Sequence, residues 1–439
     1  MSGNDIVLPR RIYTLQGDTD NIEQLNIYFR NIITGYYEDK IVDVKCKYGK
    51  LYKDFWRFEN GGPIINQNIP EDGSFDLQII LRDYDFNIIK EASTTIQIIP
   101  NNPREMCYVL CLGDSITGGN FIQHMQDKLY KVQSVGIKTL DNGISCREGR
   151  GGWSAKTYMY ITNPGSPWDE VYRSPFMFPE GIEGRKFWGN TTFWRKVTVE
   201  EPTAYDFIGY QRIARGWKEE DAPYLFDING YPQNPLVGDV VFDLDKTKGE
   251  NFLQWNGHEW MLMDPQPKWE LSFKKYMERY SDAFIKDGIL YNPDIVSIML
   301  GANDIQSFED LDDYIANLEK LIFSIKEYDT DIKVIINMPT SGSIAGALYK
   351  NSEYYRRLMQ EGGKRILEKW DNDLSLNNKI YTGYMLIGVD PVYGFGAREV
   401  PAFKYSKMNI IDMGDLAHLS KEGHMQMGDL LAGIVQKIR

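Results

Sequence analysis

Three polar side chains, far apart in the chain, have types and spacing that could support nucleophilic catalysis. Ser115 directly follows the apolar run CYVLCLGD, while Asp415 and His418 lie three residues apart in GDLAHL near the other end. A serine hydroxyl becomes a useful nucleophile when an imidazole takes its proton and an acid orients that imidazole. In a helical turn, residues three apart project to one side, so this carboxylate can hold the imidazole tautomer. Together the three residues predict a Ser-His-Asp triad.

Donors for an oxyanion can also be identified in the sequence. Gly113 permits a tight turn before Ser115, whose backbone N–H is one candidate donor. Asn303, in LGANDI, follows a second apolar run, and its amide can donate without a change of charge. Each residue also has an ordinary alternative role, since serine is common in turns and asparagine caps helices. His424 is a rival base, although its place in an amphipathic segment favours packing.

The elements that would position these residues change in character near Met106. From there, apolar runs alternate with amphipathic segments, which is typical of a parallel α/β sheet. A continuous apolar run followed by a polar loop predicts a strand buried on both faces, with its chemistry at the carboxyl end. The predicted strands lie in CYVLCLGDS, NPDIVSIMLGAND and DIKVIINMPT. The predicted helices lie in LDDYIANLEKLIFSIKEY, YYRRLMQEGGKRILEKW and SKEGHMQMGDLLAGIVQKIR.

Two further regions flank or interrupt this pattern. Residues from about 10 to 100 contain the runs KIVDVKCKYG, SFDLQIILRDYD and ASTTIQIIP, which predict strands of an antiparallel β-sandwich. We therefore expect an Ig-like accessory domain over residues 1–102 and a larger α/β domain over 103–439. Residues from about 163 to 275 are rich in Trp, Pro and Gly and predict an insertion, with a hairpin turning at Asn256-Gly257. Its aromatic side chains could stack on sugar rings or pack a small core of their own.

Four blocks together resemble the SGNH (GDSL-type) hydrolase superfamily: CLGDSITGG, GRGGWSAKTY, LGANDI and DLAHL. This resemblance implies a flavodoxin-like three-layer α/β/α domain with a parallel sheet of about five strands. It also implies that Ser115 is the nucleophile, that Asp415 and His418 complete the triad, and that Asn303 serves the oxyanion hole. GGWSAKTY is similar to a block of carbohydrate acetylesterases, which identifies Gly152 as the oxyanion glycine, with Gly143 as the alternative.

The expected activity is removal of acetyl or other short acyl groups from a carbohydrate. Asp114, Trp153 and Trp255 are the expected substrate contacts. A lipase-like or thioester-cleaving enzyme of the same superfamily is one alternative. An inactive structural or adhesive module is the other.

The composition narrows the classes of partner. The chain has 439 residues, 42% hydrophobic and 25% charged, with a net charge of −13 that disfavours nucleic acids and anionic membranes. No apolar stretch is long enough to span a membrane, and residues 1–18 contain no signal-peptide core. The four cysteines and four histidines show no metal-binding spacing, so we expect neither a metal nor a cofactor.

One segment bears on the setting of the protein. GDVVFDLDKTKGENFLQWNGHEW is similar to a short β unit of phage tail and fibre proteins. It suggests a virion-borne enzyme that assembles or oligomerises through its N-terminal domain. A secreted or cytoplasmic bacterial esterase is the alternative.

Overall fold

The computed structural model describes most of the chain, apart from residues 1–3 and eight internal stretches. The described residues are 4–62, 70–102, 104–139, 146–160, 174–191, 226–286, 289–339, 352–413 and 418–439. Two residues predicted to act in the site, Gly143 and Asp415, lie outside them, as does part of the aromatic insertion.

The first hundred residues contain two β-sheets. The elements are β1 (Arg11–Leu15), β2 (Glu23–Tyr28), α1 (Phe29–Ile32), β3 (Ile41–Lys45), β4 (Lys50–Leu51), β5 (Phe55–Asn60), β6 (Ser74–Arg82) and β7 (Ile88–Ile99). One sheet has the order β1-β7-β6-β3 and the other β2-β5-β4. Phe58 and Phe75 contact edge to face between the sheets, with ring centroids 4.9 Å apart. The predicted strands in KIVDVKCKYG, SFDLQIILRDYD and ASTTIQIIP are confirmed as β3, β6 and β7.

The rest of the chain forms a parallel sheet with helices on it and smaller β units beside it. The strands of this part of the chain, which belong to several sheets, are β8 (Cys107–Gly113), β9 (Val132–Val135), β10 (Lys138–Thr139), β11 (Cys146–Gly149), β12 (Met177–Pro179), β13 (Phe187–Asn190), β14 (Val240–Phe242), β15 (Phe252–Trp255), β16 (Trp260–Leu262), β17 (Trp269–Leu271), β18 (Ile285–Lys286), β19 (Ile289–Leu290), β20 (Ile295–Met299), β21 (Lys333–Asn337), β22 (Ile380–Gly383), β23 (Ala397–Pro401) and β24 (Asn409–Met413). Its helices are α2 (Phe121–Lys128), α3 (Phe273–Arg279), α4 (Leu311–Tyr328), α5 (Ser352–Trp370), α6 (Asp373–Asn377) and α7 (Lys421–Ile438).

Five strands of the central sheet run parallel, in the spatial order β9-β8-β20-β21-β22. Numbered along the chain, this is the order 2-1-3-4-5 of flavodoxin-like sheets. β11 also pairs in parallel with β8. It contacts the carboxyl end of β8, whereas β9 contacts the earlier residues of that strand. The three predicted strands are confirmed as β8, β20 and β21.

Both faces of the central sheet are covered, because its strands are apolar on both sides. On β8, Val109 and Cys111 belong to the core that includes α2 and α7, whereas Leu110 and Leu112 belong to the core beneath α4 and α5. The three predicted helices are confirmed as α4, α5 and α7. The sheet therefore holds the carboxyl ends of its strands rigidly along one edge.

The N-terminal sheets share one hydrophobic core with the α7 face of the central sheet. A side chain at Gly433 on α7 would meet the carbonyl of Tyr13 at 2.4 Å, so β1 lies directly against the helix. Gln436 donates to the carbonyls of Pro100 and Asn102, at 3.0 and 3.1 Å. The connection after β7 is thus packed on α7.

The described part of the insertion contains a four-stranded sheet in the order β13-β14-β15-β16, in which β13 pairs with β14 in parallel and the other pairs are antiparallel. β14, β15 and β16 form a meander, and the hairpin predicted at Asn256-Gly257 is confirmed. Trp269 packs against Phe187, Phe242 and Phe252 with ring centroids 5.0 to 5.7 Å away. This tryptophan therefore belongs to a small aromatic core, as the packing alternative predicts.

Candidate active site

Ser115 lies just beyond the carboxyl end of β8, where the sequence places it. Its carbonyl accepts a hydrogen bond of 3.0 Å from the Gly118 N–H, which begins a short 3₁₀ turn. A side chain at Gly113 would lie 2.4 Å from the Met299 carbonyl, so glycine lets the ends of β8 and β20 approach. The Ser115 side chain is partly exposed at this edge of the sheet.

His418 reaches Ser115 from a position 303 residues away in the chain. Its Nε2 lies 2.8 Å from the Ser115 Oγ, which is hydrogen-bonding distance. The side chain of His418 is otherwise exposed. The structure therefore brings together two of the three predicted triad residues, and the third, Asp415, lies outside the described residues.

The two residues that follow His418 are held in place by contacts with the loop before β23. Leu419 forms an isolated antiparallel bridge with Phe395. Ser420 donates its N–H to the Gly394 carbonyl at 3.0 Å, and its hydroxyl caps α7 by accepting from the Gly423 N–H at 3.1 Å. A side chain at Gly423 would collide with the Gly394 carbonyl, at 1.9 Å. These contacts fix the backbone that follows His418, whose exposed imidazole lies beside Ser115.

His424, the rival base, lies inside α7 and packs against the turn that follows Ser115. Its ring stacks near Phe121, with centroids 6.1 Å apart, and a side chain at Gly119 would overlap it. Burial lowers the pKa of His424 to about 4, and the neighbouring His418 acts in the same direction. The ring is therefore neutral at neutral pH and fills space under the turn.

The candidate oxyanion donors are backbone groups of two adjacent loops. Trp153 donates its N–H to the Arg150 carbonyl at 3.3 Å, which closes a turn, and Gly152 within it has a φ of +74° that favours glycine. Within the described residues, neither the Ser115 N–H nor the Gly152 N–H donates to another protein group. Both groups remain available to a ligand.

Asn303 and its neighbour tie the loop after β20 to the Gly152 turn. The Asn303 Nδ2 donates to the Trp153 carbonyl at 3.0 Å and has a second hydrogen left for an oxyanion. The Asp304 carboxylate accepts from the Ala155 and Lys156 N–H groups, at 3.0 and 3.3 Å. Burial raises the pKa of Asp304 to about 6. Sequence reasoning missed Asp304, although its place at a strand's carboxyl end was a usable signal.

The three residues expected to contact substrate lie in different environments. Trp153 is 5% exposed and packs edge to face on Tyr158 at 5.0 Å, so its ring offers no open stacking surface. Asp114 is 2% exposed, and its Oδ1 accepts from the Ile116 N–H at 2.9 Å. This burial argues against direct contact of either residue with a glycan. Trp255 is half-buried on β15, with its ring centroid 5.5 Å from that of Trp260.

Burial of Asp114 has a consequence for stability. Burial raises its pKa from 3.8 to about 7, so between these values the folded protein keeps a proton that the unfolded chain has released. Stability from this group is therefore present at low pH and lost as pH rises to about 7. We expect Asp114→Asn, which keeps the acceptor for Ile116, to unfold with a higher free energy than the wild-type protein at pH 8. This difference between variant and wild type should be about 2–4 kcal/mol larger at pH 8 than at pH 4.

Urea unfolding of the wild-type protein and the Asp114→Asn variant across this pH range measures the effect. Asp85→Asn is the control, because that side chain is exposed. A pH dependence that is the same in wild type and Asp114→Asn would contradict the buried, protonated state.

A buried ion pair, not foreseen from the sequence, supports the Gly152 turn from below. Glu148 and Arg150 form a salt bridge and are both fully buried. The Tyr276 hydroxyl of α3 donates to the Glu148 Oε2 at 2.8 Å, and the Arg150 guanidinium lies 4.8 Å from the Trp153 ring centroid. The Arg150 N–H donates to the Gly113 carbonyl at 3.0 Å. The pair thereby connects α3, the end of β8 and the Gly152 turn.

Removing one member of this pair is expected to be costly. Glu148→Gln should lower the unfolding free energy by about 3–5 kcal/mol, because it leaves a buried guanidinium without its counter-ion. The double variant Glu148→Gln/Arg150→Met should cost less than the sum of the two single changes. Urea denaturation of Glu148→Gln, Arg150→Met and the double variant measures the coupling energy between the two side chains. Asp331→Asn, which removes an exposed partner of Lys379, is the control and should cost less than about 1 kcal/mol.

No described helix combines the length and apolar character needed to cross a bilayer. No three His, Cys, Asp or Glu side chains among the described residues are grouped so that they could hold a metal ion.

Comparison with known proteins gives only distant structural likenesses. No family model and no curated protein matches the sequence. A carbohydrate esterase family 2 enzyme with a carbohydrate-binding domain, from Corynascus thermopiles (Myceliophthora fergusii), aligns over 98% of this chain and 98% of its own, at 9% identity and a TM-score of 0.34. A family 3 carbohydrate esterase from Talaromyces cellulolyticus aligns over 76% and 98%, at 14% identity and a TM-score of 0.31.

A carbohydrate acetylesterase from Sinorhizobium meliloti aligns over 76% of this chain and 100% of its own, at 12% identity and a TM-score of 0.31. At such identities and TM-scores the likeness carries no argument about activity.

Proposed function

We propose that this chain is a serine esterase of the SGNH type that removes acetyl or other short acyl groups from a carbohydrate. The observation that supports it best is the 2.8 Å contact between the Ser115 Oγ and the His418 Nε2 at the carboxyl edge of a parallel sheet. Among the residues that the structure describes, the Ser115 and Gly152 N–H groups donate to no protein acceptor, and the Asn303 amide is bonded to the Gly152 turn. Nucleophile, base and oxyanion donors are the parts that acyl transfer requires.

In the proposed mechanism, the Ser115 hydroxyl attacks the ester carbonyl while the His418 Nε2 takes its proton. Asp415 stabilises the imidazolium that results. The oxyanion is held by the N–H groups of Ser115 and Gly152 and by the Asn303 amide. His418 then protonates the leaving sugar hydroxyl, and an acyl-enzyme remains on the Ser115 Oγ.

Deacylation repeats these steps with water as the nucleophile. His418 takes a proton from water, the tetrahedral intermediate occupies the same oxyanion site, and the proton returns to the Ser115 Oγ as acetate leaves. Every proton moves through the exposed imidazole, so the mechanism needs no metal or cofactor.

The choice of a glycan ester follows from the acetylesterase-like block GGWSAKTY, in which Gly152 lies. With Trp153 and Trp269 packed, the stacking of insertion aromatics on sugars is proposed only for half-buried rings such as Trp255. We also propose that the N-terminal strands form an accessory β-sandwich. Its role in a virion or oligomer stays a prediction.

The test is a comparison of acyl chains and acceptors. Hydrolysis of p-nitrophenyl acetate and butyrate should be readily measurable, whereas the palmitate ester should be a poor substrate. Release of acetate from acetylated polysaccharides then identifies the natural class. A strong preference for palmitate would replace this proposal with the lipase-like alternative, and no hydrolysis of any ester would favour an inactive structural module.

A further inference from the structure

A β-hairpin with an exposed aromatic tip leads directly into the segment that carries His418. Its strands β23 and β24 pair antiparallel from Ala397–Met413 to Pro401–Asn409. Three apolar side chains at the far end are strongly exposed: Phe403 at 68%, Tyr405 at 87% and Met408 at 63%. We call residues 397–413 the hairpin arm.

The base of the hairpin arm is attached beside the site. Phe395, two residues before β23, forms its bridge with Leu419, the residue that follows His418. A polymer bound along the arm would therefore lead toward the Ser115–His418 contact.

The tip has a defined conformation. Ala402 donates its N–H to the Met408 carbonyl at 2.9 Å, and Ser406 donates its N–H to the Phe403 carbonyl at 2.8 Å. Tyr405 has a φ of +71°, which is uncommon for a bulky residue and tends to occur at functional positions. The rings are thus presented to solvent by an ordered turn.

The tip differs in charge from the whole chain. Residues 400–411 contain Lys404 and Lys407 and no acidic residue, a net charge of +2 in a chain of −13. Both lysines are exposed, and the Lys404 Nζ lies 5.1 Å from the Tyr405 ring centroid. An anionic chain would meet a favourable potential here.

We propose that the hairpin arm binds an acidic glycan and leads it to the active site, which makes the preferred substrate an acylated polysaccharide that carries carboxylates. Phe403 and Tyr405 stack on the apolar faces of sugar rings, while Lys404 and Lys407 pair with uronate carboxylates. This inference rests on the proposed esterase function and specifies its substrate.

Binding of polygalacturonate, measured by affinity gel electrophoresis, tests the arm without any hydrolysis. Lys404→Gln/Tyr405→Ala should weaken binding by about five- to tenfold, as expected for the loss of one charge and one ring at an exposed site. Lys404→Gln/Lys407→Gln should weaken binding at low salt and less at high salt, because exposed charges are screened. Turnover of p-nitrophenyl acetate should stay within about twofold of wild type in both variants.

A matched control exists at the opposite edge of the sheet. Tyr130 is 56% exposed, the Lys131 Nζ lies 5.6 Å from its ring centroid, and Lys131 also has a positive φ. The Lys131 carbonyl accepts from Cys107, the first residue of β8, so this pair lies at the amino end of the strand. Tyr130→Ala/Lys131→Gln should leave polygalacturonate binding unchanged.

Unchanged binding in the arm variants, or equal binding of neutral xylan by the wild-type protein, would overturn the proposal. So would a wild-type dimer in sedimentation that the arm variants dissociate while glycan binding persists. Failure of the esterase proposal is separable, because Ser115→Ala protein should still bind polygalacturonate. A wild-type protein that binds this polymer but cleaves no ester would refute the esterase and retain the arm.

Discussion

Ser115→Ala is expected to lower the turnover number on p-nitrophenyl acetate by about ten-thousand-fold or more, because it removes the oxygen on which the proposed acyl-enzyme forms. The Oγ lies at the carboxyl end of β8 with a base 2.8 Å away, so the hydroxyl is the only atom that the substitution removes from the proposed chemistry. Stability should change little, since the side chain is partly exposed and the 3₁₀ turn is held by backbone bonds. Steady-state kinetics and thermal unfolding together measure both effects.

Ser93→Ala is the matched control, because it removes an exposed hydroxyl from β7. It should keep wild-type turnover. A fluorophosphonate probe should add to Ser115 in the wild-type protein, which peptide mass spectrometry can locate. Labelling of a different serine, or full activity in Ser115→Ala, would end the proposal that this residue is the nucleophile.

His418→Ala should produce the second large loss, about a thousand- to ten-thousand-fold in turnover number with a smaller change in KM. Without the imidazole, the Ser115 hydroxyl keeps its proton and the leaving group has no acid. Labelling of Ser115 by the fluorophosphonate should slow in parallel, since the same base activates the serine in that reaction.

Two other histidines serve as comparisons. His424→Ala should lower the unfolding free energy by roughly 1–2 kcal/mol, because it removes packing against Phe121, while keeping most of the turnover. His258→Ala, in the exposed Asn256-Gly257 hairpin, should change neither quantity. Loss of turnover in His424→Ala together with activity in His418→Ala would reverse the assignment of the base.

Local order was largely predictable from the sequence. The apolar run before Ser115 gave a correct strand, β8, because a continuous apolar segment is stable only when both faces are covered. Leu311, Ile315, Leu318 and Ile322 repeat at helical spacing, and on α4 three of them are buried while Ile315 is half-buried. The Asn256-Gly257 turn followed from the positive φ that glycine tolerates, here +108°.

Side-chain environments at the site were harder to predict. Trp153 was expected to contact the substrate, yet it is buried, with the Arg150 guanidinium of the Glu148–Arg150 ion pair 4.8 Å from its ring centroid. A buried ion pair has no signature in a single sequence, where Glu and Arg look like solvated residues. The hydrogen bonds by which Asp304 joins its loop to the Gly152 turn could not be predicted either, because their donors are two N–H groups about 150 residues earlier in the chain.

The sequence by itself determined the residue types available for acyl transfer and the acidic character of the chain. It also determined the strand that precedes Ser115 and the helix that follows His418. These properties depend on neighbours along the chain, so periodicity and turn chemistry reveal them. Only the tertiary structure decided that the Ser115 hydroxyl and the His418 imidazole meet, that Phe395 anchors the hairpin arm beside them, and that the N-terminal sheets share a core with α7. Each of these depends on contacts between segments that are not neighbours along the chain, from 24 residues apart for Phe395 and Leu419 to 303 for Ser115 and His418, and packing of the whole core selects such contacts.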